Sequence, residues 1–216
     1  MKKLTCLLGS LLLLLAVSTV PASATTFTLD NFVINLDSKD SGLNIETSHY
    51  EETSLPYSFT IKNVGETYSF PLFNIWTNNS TVSSKDLDPR SISVQFFFSE
   101  PQPAFDGTAT GDTVGTRGSY FFDYAQGNVN WDDPIFLSFG PLNDGLLKLE
   151  LSNVTFNRNV TFIGYGLNPG FNHRVIVQLT ATYEQAASVP EPATMLLLGF
   201  GLIGMAAFGR KRLFNK

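Results

Sequence analysis

The chain is poor in the residues that staple, ligate or catalyse. It holds one cysteine, Cys6, and two histidines, His49 and His173, among 216 residues, and only 15% of them are charged. A single cysteine permits no internal disulfide and no cysteine cage for a metal. Cys6 also precedes most of an apolar run, whereas a lipidated cysteine would follow it. The sequence contains no Gly-x-Ser-x-Gly elbow, no His-Glu-x-x-His helix and no Gly-x-x-x-x-Gly-Lys phosphate loop. Positive charge is scarce between the two ends: residues 25–188 carry 8 basic against 18 acidic side chains, a net charge of −10. Nucleic-acid phosphates need lysine and arginine for neutralisation, so nucleic-acid binding is excluded first.

The basic residues missing from the middle stand at the ends. Lys2 and Lys3 precede an apolar stretch from Leu7 to Val17, followed by Pro21-Ala22-Ser23-Ala24. A positive start, a short apolar run and small residues at Ala22 and Ala24 form the pattern of a secretory signal peptide, residues 1–24. Cleavage by signal peptidase is expected after Ala24, and it would remove the only cysteine. The 164 positions from 25 to 188 are enough for one domain with a real core, held by burial alone.

That body has a hydrophobic period of two. Leu147, Leu149 and Leu151 alternate with Lys148 and Glu150, and Val175, Val177, Leu179, Ala181 and Tyr183 alternate with mostly polar neighbours. Successive side chains of a strand point to opposite faces, so this is the pattern of half-buried antiparallel strands. Further strands are expected at 26–36, 57–61, 68–76, 91–98, 119–124, 134–139 and 160–165, all rich in aromatic and β-branched residues. Residues 100–118 lack a strand pattern and are expected to form a long surface loop. The near-repeat Asn153-Val154-Thr155-Phe156 and Asn159-Val160-Thr161-Phe162 reads as two strand edges around a turn near Asn157-Arg158. About eight to ten short strands without a helical stripe imply an all-β antiparallel sandwich of Greek-key or jelly-roll type.

Candidate sites in the body are few. Asp37, Asp40, Asp106, Asp112, Asp132 and Asp144 lie in or beside expected loops, but none falls in a calcium-loop spacing, so they read as solvated turn residues. A glycosidase needs two facing carboxylates, which spacing alone does not supply. Trp76 and Trp131 could each offer a flat face to a glycan, and Trp131, close to a loop, is the better candidate. No metal or cofactor is expected.

The C-terminal segment is the most informative. Val189-Pro190-Glu191-Pro192 is followed by 16 uncharged residues, Ala193 to Phe208, and then by Arg210, Lys211 and Arg212. As a helix the run spans about 24 Å, short of a hydrocarbon core of about 30 Å. It has no polar face, which a helix packed on a sandwich would show, and the basic cluster favours the cytoplasmic side. In this order the three parts resemble the PEP-CTERM sorting signal, over residues 189–216 only. The resemblance implies Pro190, Glu191 and Pro192 as the motif read by exosortase, residues 193–208 as a membrane segment and Arg210 to Arg212 as the stop. It implies an exported protein that passes through the inner membrane to the cell envelope or the extracellular space of a cell making exopolysaccharide. On this view the protein is a substrate and not an enzyme. A carbohydrate-binding module, or more remotely a secreted hydrolase, is the alternative for residues 25–188.

Overall fold

The computed structural model describes residues 24–37, 41–119 and 121–187. Eleven strands run through the described residues: β1 (Thr25–Leu36), β2 (Glu46–His49), β3 (Tyr57–Ile61), β4 (Thr67–Trp76), β5 (Arg90–Glu100), β6 (Phe105–Ser119), β7 (Asp123–Trp131), β8 (Ile135–Phe139), β9 (Gly145–Leu151), β10 (Val154–Thr161) and β11 (Val175–Gln185). They form a six-stranded sheet in the order β10-β7-β6-β5-β1-β3 and a five-stranded sheet in the order β2-β4-β11-β9-β8. Every pairing is antiparallel. Only β5–β6, β6–β7 and β8–β9 join strands adjacent both in sequence and in the sheet. The other connections pass between the sheets, the interleaving expected of a Greek-key sandwich.

The expected alternation closes the sandwich. On β5, Ile92, Val94, Phe96 and Phe98 are buried while Ser91, Ser93, Gln95 and Ser99 face outward, and on β11 Val177, Leu179, Ala181 and Tyr183 are buried. The filling is aromatic. Phe27 packs on Phe59 at 5.6 Å between ring centroids, edge-on to Phe139 at 5.1 Å, and edge-on to Tyr183 at 5.9 Å. Offset and edge-to-face rings add attraction beyond the area they bury. At the same end the Thr25 hydroxyl donates to the Tyr183 hydroxyl at 3.0 Å, tying the first strand of one sheet to the last strand of the other.

Three expectations require correction. The segment read as a loop at 100–118 is mostly β6, a strand of 15 residues. Its inward positions are Gly107, Ala109, Gly111, Thr113 and Gly115, so it alternates small with polar and not large with polar. The large side chains come from its neighbours: a Cβ on Gly107 would lie 2.1 Å from Leu137, and one on Gly115 would lie 3.0 Å from Val82. The strands expected at 119–124 and 160–165 are cut short, since Phe121 and Phe122 lie between β6 and β7, and Phe162 and Ile163 follow the end of β10. Finally, Asn157 marks a bulge within β10 and not a turn. The register slips between Phe156 and Asn159, Asn157 takes φ 52°, and its side-chain oxygen accepts from the buried Thr77 amide at 2.8 Å. A left-handed residue with a polar side chain turned inward is a usual way to place an extra residue in a strand.

Phe27 is fully buried, and truncating a buried phenylalanine forfeits its transfer energy and leaves a cavity. Phe27→Ala is expected to lower unfolding stability by about 3–5 kcal/mol, read from the urea midpoint at unchanged m-value.

Candidate functional site: two poles of the sandwich

Both ends of the described chain emerge at one pole. Ala24 directly precedes β1, whose first residue bonds to Tyr183 near the end of β11. The strand β11 lies inside its sheet, paired with β4 along one edge and β9 along the other. Gly65 donates to the Tyr183 carbonyl at 2.7 Å and Tyr183 donates to the Glu66 carbonyl at 3.1 Å, so the last strand is held to its end. Beyond it Ala187 lies against the β8–β9 hairpin, where a Cβ on Gly140 would come 2.5 Å from the Ala187 Cβ. Gly140 has φ 86°, a conformation that glycine adopts without strain. From Gln185 to Pro190 is five residues, at most about 16–18 Å of extended chain. Ala22, Pro190, Glu191, Pro192, the run 193–208, and Arg210, Lys211 and Arg212 lie outside the described residues. Among the described residues no helix is long and apolar enough to cross a membrane.

Trp131 closes β7 on the inward parity set by Ala125, Gly127 and Val129. It is half-buried and meets Phe73 edge-on at 6.3 Å, while its indole nitrogen is buried without a hydrogen-bond partner. What reaches the surface beside it is a furrow. A shallow hollow of about 470 Å³, lined by Asp37, Ser91, Ser93, Thr110, Asp112 and Asp132, crosses the end of β1, the start of β5 and the middle of β6. It shares Thr110 and Asp132 with a smaller hollow of about 170 Å³ against Trp131, Glu150 and Asn153. The Thr110 hydroxyl donates to Asp132 at 2.5 Å and the Ser91 hydroxyl to Asp112 at 3.3 Å. Among the described residues no three of His, Cys, Asp and Glu converge as metal ligands do. His49 stacks on Phe32 at 4.3 Å, and His173 is exposed in a 3-10 turn, Phe171–His173. Trp76 packs edge-on to Phe171 at 5.1 Å.

The opposite pole carries a feature the sequence patterns concealed. The register places Ser119, Asp123 and Thr161 level with one another, eight residues along β6 beyond the level of Leu36, where β1 ends. There Phe121 is 83% exposed, Phe162 85% and Ile163 91%, with Phe122 edge-on to Phe162 at 5.0 Å. The aromatic runs SYFFDY and VTFIGY suggested strands, but Phe121, Phe122, Phe162 and Ile163 fall outside the strand limits.

These two ends differ in what the chain does next. The family model for the PEP-CTERM protein-sorting motif matches residues 188–212, starting one residue after the last described position. The C-terminal segment is a PEP-CTERM sorting signal. No curated protein matches the chain, and no solved structure matches it. The sorting signal marks the protein for export, membrane transit and processing by exosortase. The chain continues into the signal from the pole of Thr25 and Ala187, and Phe122 and Phe162 stand at the opposite pole.

Asp123 fastens the distal pole. The Ser119 hydroxyl, and after it the Gly164 amide at 2.7 Å, hold the Asp123 carboxyl below the ordinary carboxylate range. A carboxylate whose folded pKa is depressed stabilises fully above its unfolded pKa, and that stabilisation fades as pH falls through the folded value. Exchange of the Gly164 amide, corrected for its intrinsic rate, is therefore expected to accelerate on acidification. Asp123→Asn should show the faster exchange already at neutral pH and lose the acid dependence.

Proposed function

We propose that the protein is a non-enzymatic component of the cell envelope or the extracellular matrix, delivered by its sorting signal and associated with exopolysaccharide there. The observation that carries this reading is the attachment of the sorting signal to β11, an interior strand of a closed sandwich. Removing the segment after Pro192 would leave every described pairing in place, as release of a folded domain requires. Proline favours extended backbone at and before its own position, the conformation in which a protease takes its substrate. The mature protein is expected to begin at Thr25 and to lack residues 193–216. Intact-mass measurement of the exported form checks both ends, and finding residues 193–216 on it would refute the reading.

The outward face of the six-stranded sheet favours a polyhydroxyl partner. Asn128 donates to the Thr116 hydroxyl at 2.6 Å and accepts from Thr155 at 2.9 Å and from Gln126 at 3.1 Å. Near the other edge Thr26 pairs with Thr60, and Thr28 with Ser58, each at 2.9 Å. These neutral hydroxyls and amides can exchange hydrogen bonds with sugar hydroxyls without the cost of uncovering a charge. Exosortase and signal peptidase are then the processing partners, and the polysaccharide is the resident one.

A second reading, a carbohydrate-binding module, is favoured by the furrow beside Trp131. It combines one aromatic wall with carboxylates and hydroxyls, the groups that orient sugars. Trp131→Ala should abolish binding on a glycan array if the furrow is the site; retention of all binding by the variant would place the sugar elsewhere. A secreted hydrolase has less support. A general acid needs an apolar setting opposite a second carboxylate, whereas Asp112 and Asp132 line an open furrow and are each engaged by a hydroxyl.

A further inference from the structure

We propose that the distal pole docks on a lipid bilayer, with Phe122, Phe162 and Ile163 as the inserting side chains. Two separate connections, β6–β7 and the one leaving β10, place these residues side by side. Phe162 and Ile163 are 85% and 91% exposed, so no wall rises around them. A peptide or small ligand needs a concave surface; a convex apolar tip suits a fluid one. Val160, 53% exposed, and Tyr124, 37% exposed, continue the patch on paired positions of β10 and β7.

Area argues against a second copy as the occupant. Weighted by their exposure of 83%, 47% and 85%, Phe121, Phe122 and Phe162 offer roughly 320–540 Å² at roughly 150–250 Å² per fully buried ring, and with Ile163 they stay below the about 800 Å² per partner of a stable protein interface. Bilayer insertion has no such threshold, since a few aromatic side chains at the headgroup level already contribute. Local charge agrees. Residues 25–188 have a net charge of −10, yet the two segments that build the tip, 114–124 and 154–165, contain Arg117 and Arg158 against Asp123 alone. A small positive excess behind an apolar tip suits lipid phosphates.

The tip lies at the pole opposite Ala187, the last described residue before the sorting signal, and so is placed to address a membrane other than the one that the C-terminal segment enters. The test uses the full chain with Cys6→Ser, which removes its only thiol, and Ile163→Cys labelled with a polarity-sensitive fluorophore. A label at Ser58→Cys on β3 serves as the control. On adding vesicles of phosphatidylcholine and phosphatidylglycerol, the label at 163 should shift to the blue and brighten severalfold, with the control unchanged. The vesicles should also cluster, because tip and C-terminal segment engage different bilayers. Phe122→Ser combined with Phe162→Ser should abolish both effects with near-ultraviolet dichroism intact. Water-like emission at 163 on vesicle-bound protein would overturn the proposal. So would a blue shift without vesicles that grows with protein concentration, which would assign the tip to a second copy.

Discussion

The structure depends on phenylalanine packed between two sheets. With no disulfide available to the described residues, no covalent cross-link beyond the backbone connections holds one sheet to the other. Exposed ion pairing adds little: the Lys148–Glu150 pair is 2.9 Å long, but both side chains reach solvent. What remains is the burial of Phe27, Phe73, Phe96, Phe98, Phe139 and Phe156 in a common layer. Each ring fills the space between sheets that stand about 10 Å apart, and small residues are needed where a ring lies over a neighbouring strand. Gly127 is such a place, since a Cβ there would lie 2.3 Å from the ring of Phe156, its partner on the adjacent strand β10.

The same packing gives the molecule its polarity. The cluster of Phe27, Phe59, Phe139 and Tyr183 lies where β1 begins and β11 ends, so both described termini are anchored in the core. Tyr57 and Tyr68 extend the cluster outward, their hydroxyls 3.0 Å apart. Burial first, and then the Tyr68 hydroxyl, push the Tyr57 phenol up to about 12. A segment that is drawn into a membrane and cut is thereby attached to a strand paired along both edges. Strands β6, β7 and β10 overrun the others at the far pole, and their connections carry side chains that no core receives.

Much of this was legible in the residues. Strands β3, β5, β9 and β11 follow from large-to-polar alternation, and their limits agree with the pattern to within two residues. The sorting signal was legible for a different reason: proline motif, apolar run and basic cluster are local in sequence and need no fold to be recognised, and the family match falls on the same segment. By contrast β6 and β7 were hidden. Most inward positions of β6, and Ala125 and Gly127 on β7, hold glycine, alanine or threonine, whose smallness has meaning only beside Leu137, Val82 and Phe156 contributed from elsewhere.

The sequence by itself therefore determined the fold class, the excess of acid over base, and the address carried by residues 189–216, because each is a matter of composition or short-range order. Only the tertiary structure decided what faces solvent. Trp131 turned inward because β7 has a fixed parity, and it borders a furrow instead of standing free on a loop. Phe122, Phe162 and Ile163 turned outward because the strands that carry their neighbours end before them. Parity and strand ends are set by pairing with distant segments, and an apolar residue looks the same in a sequence whichever side of a sheet it meets.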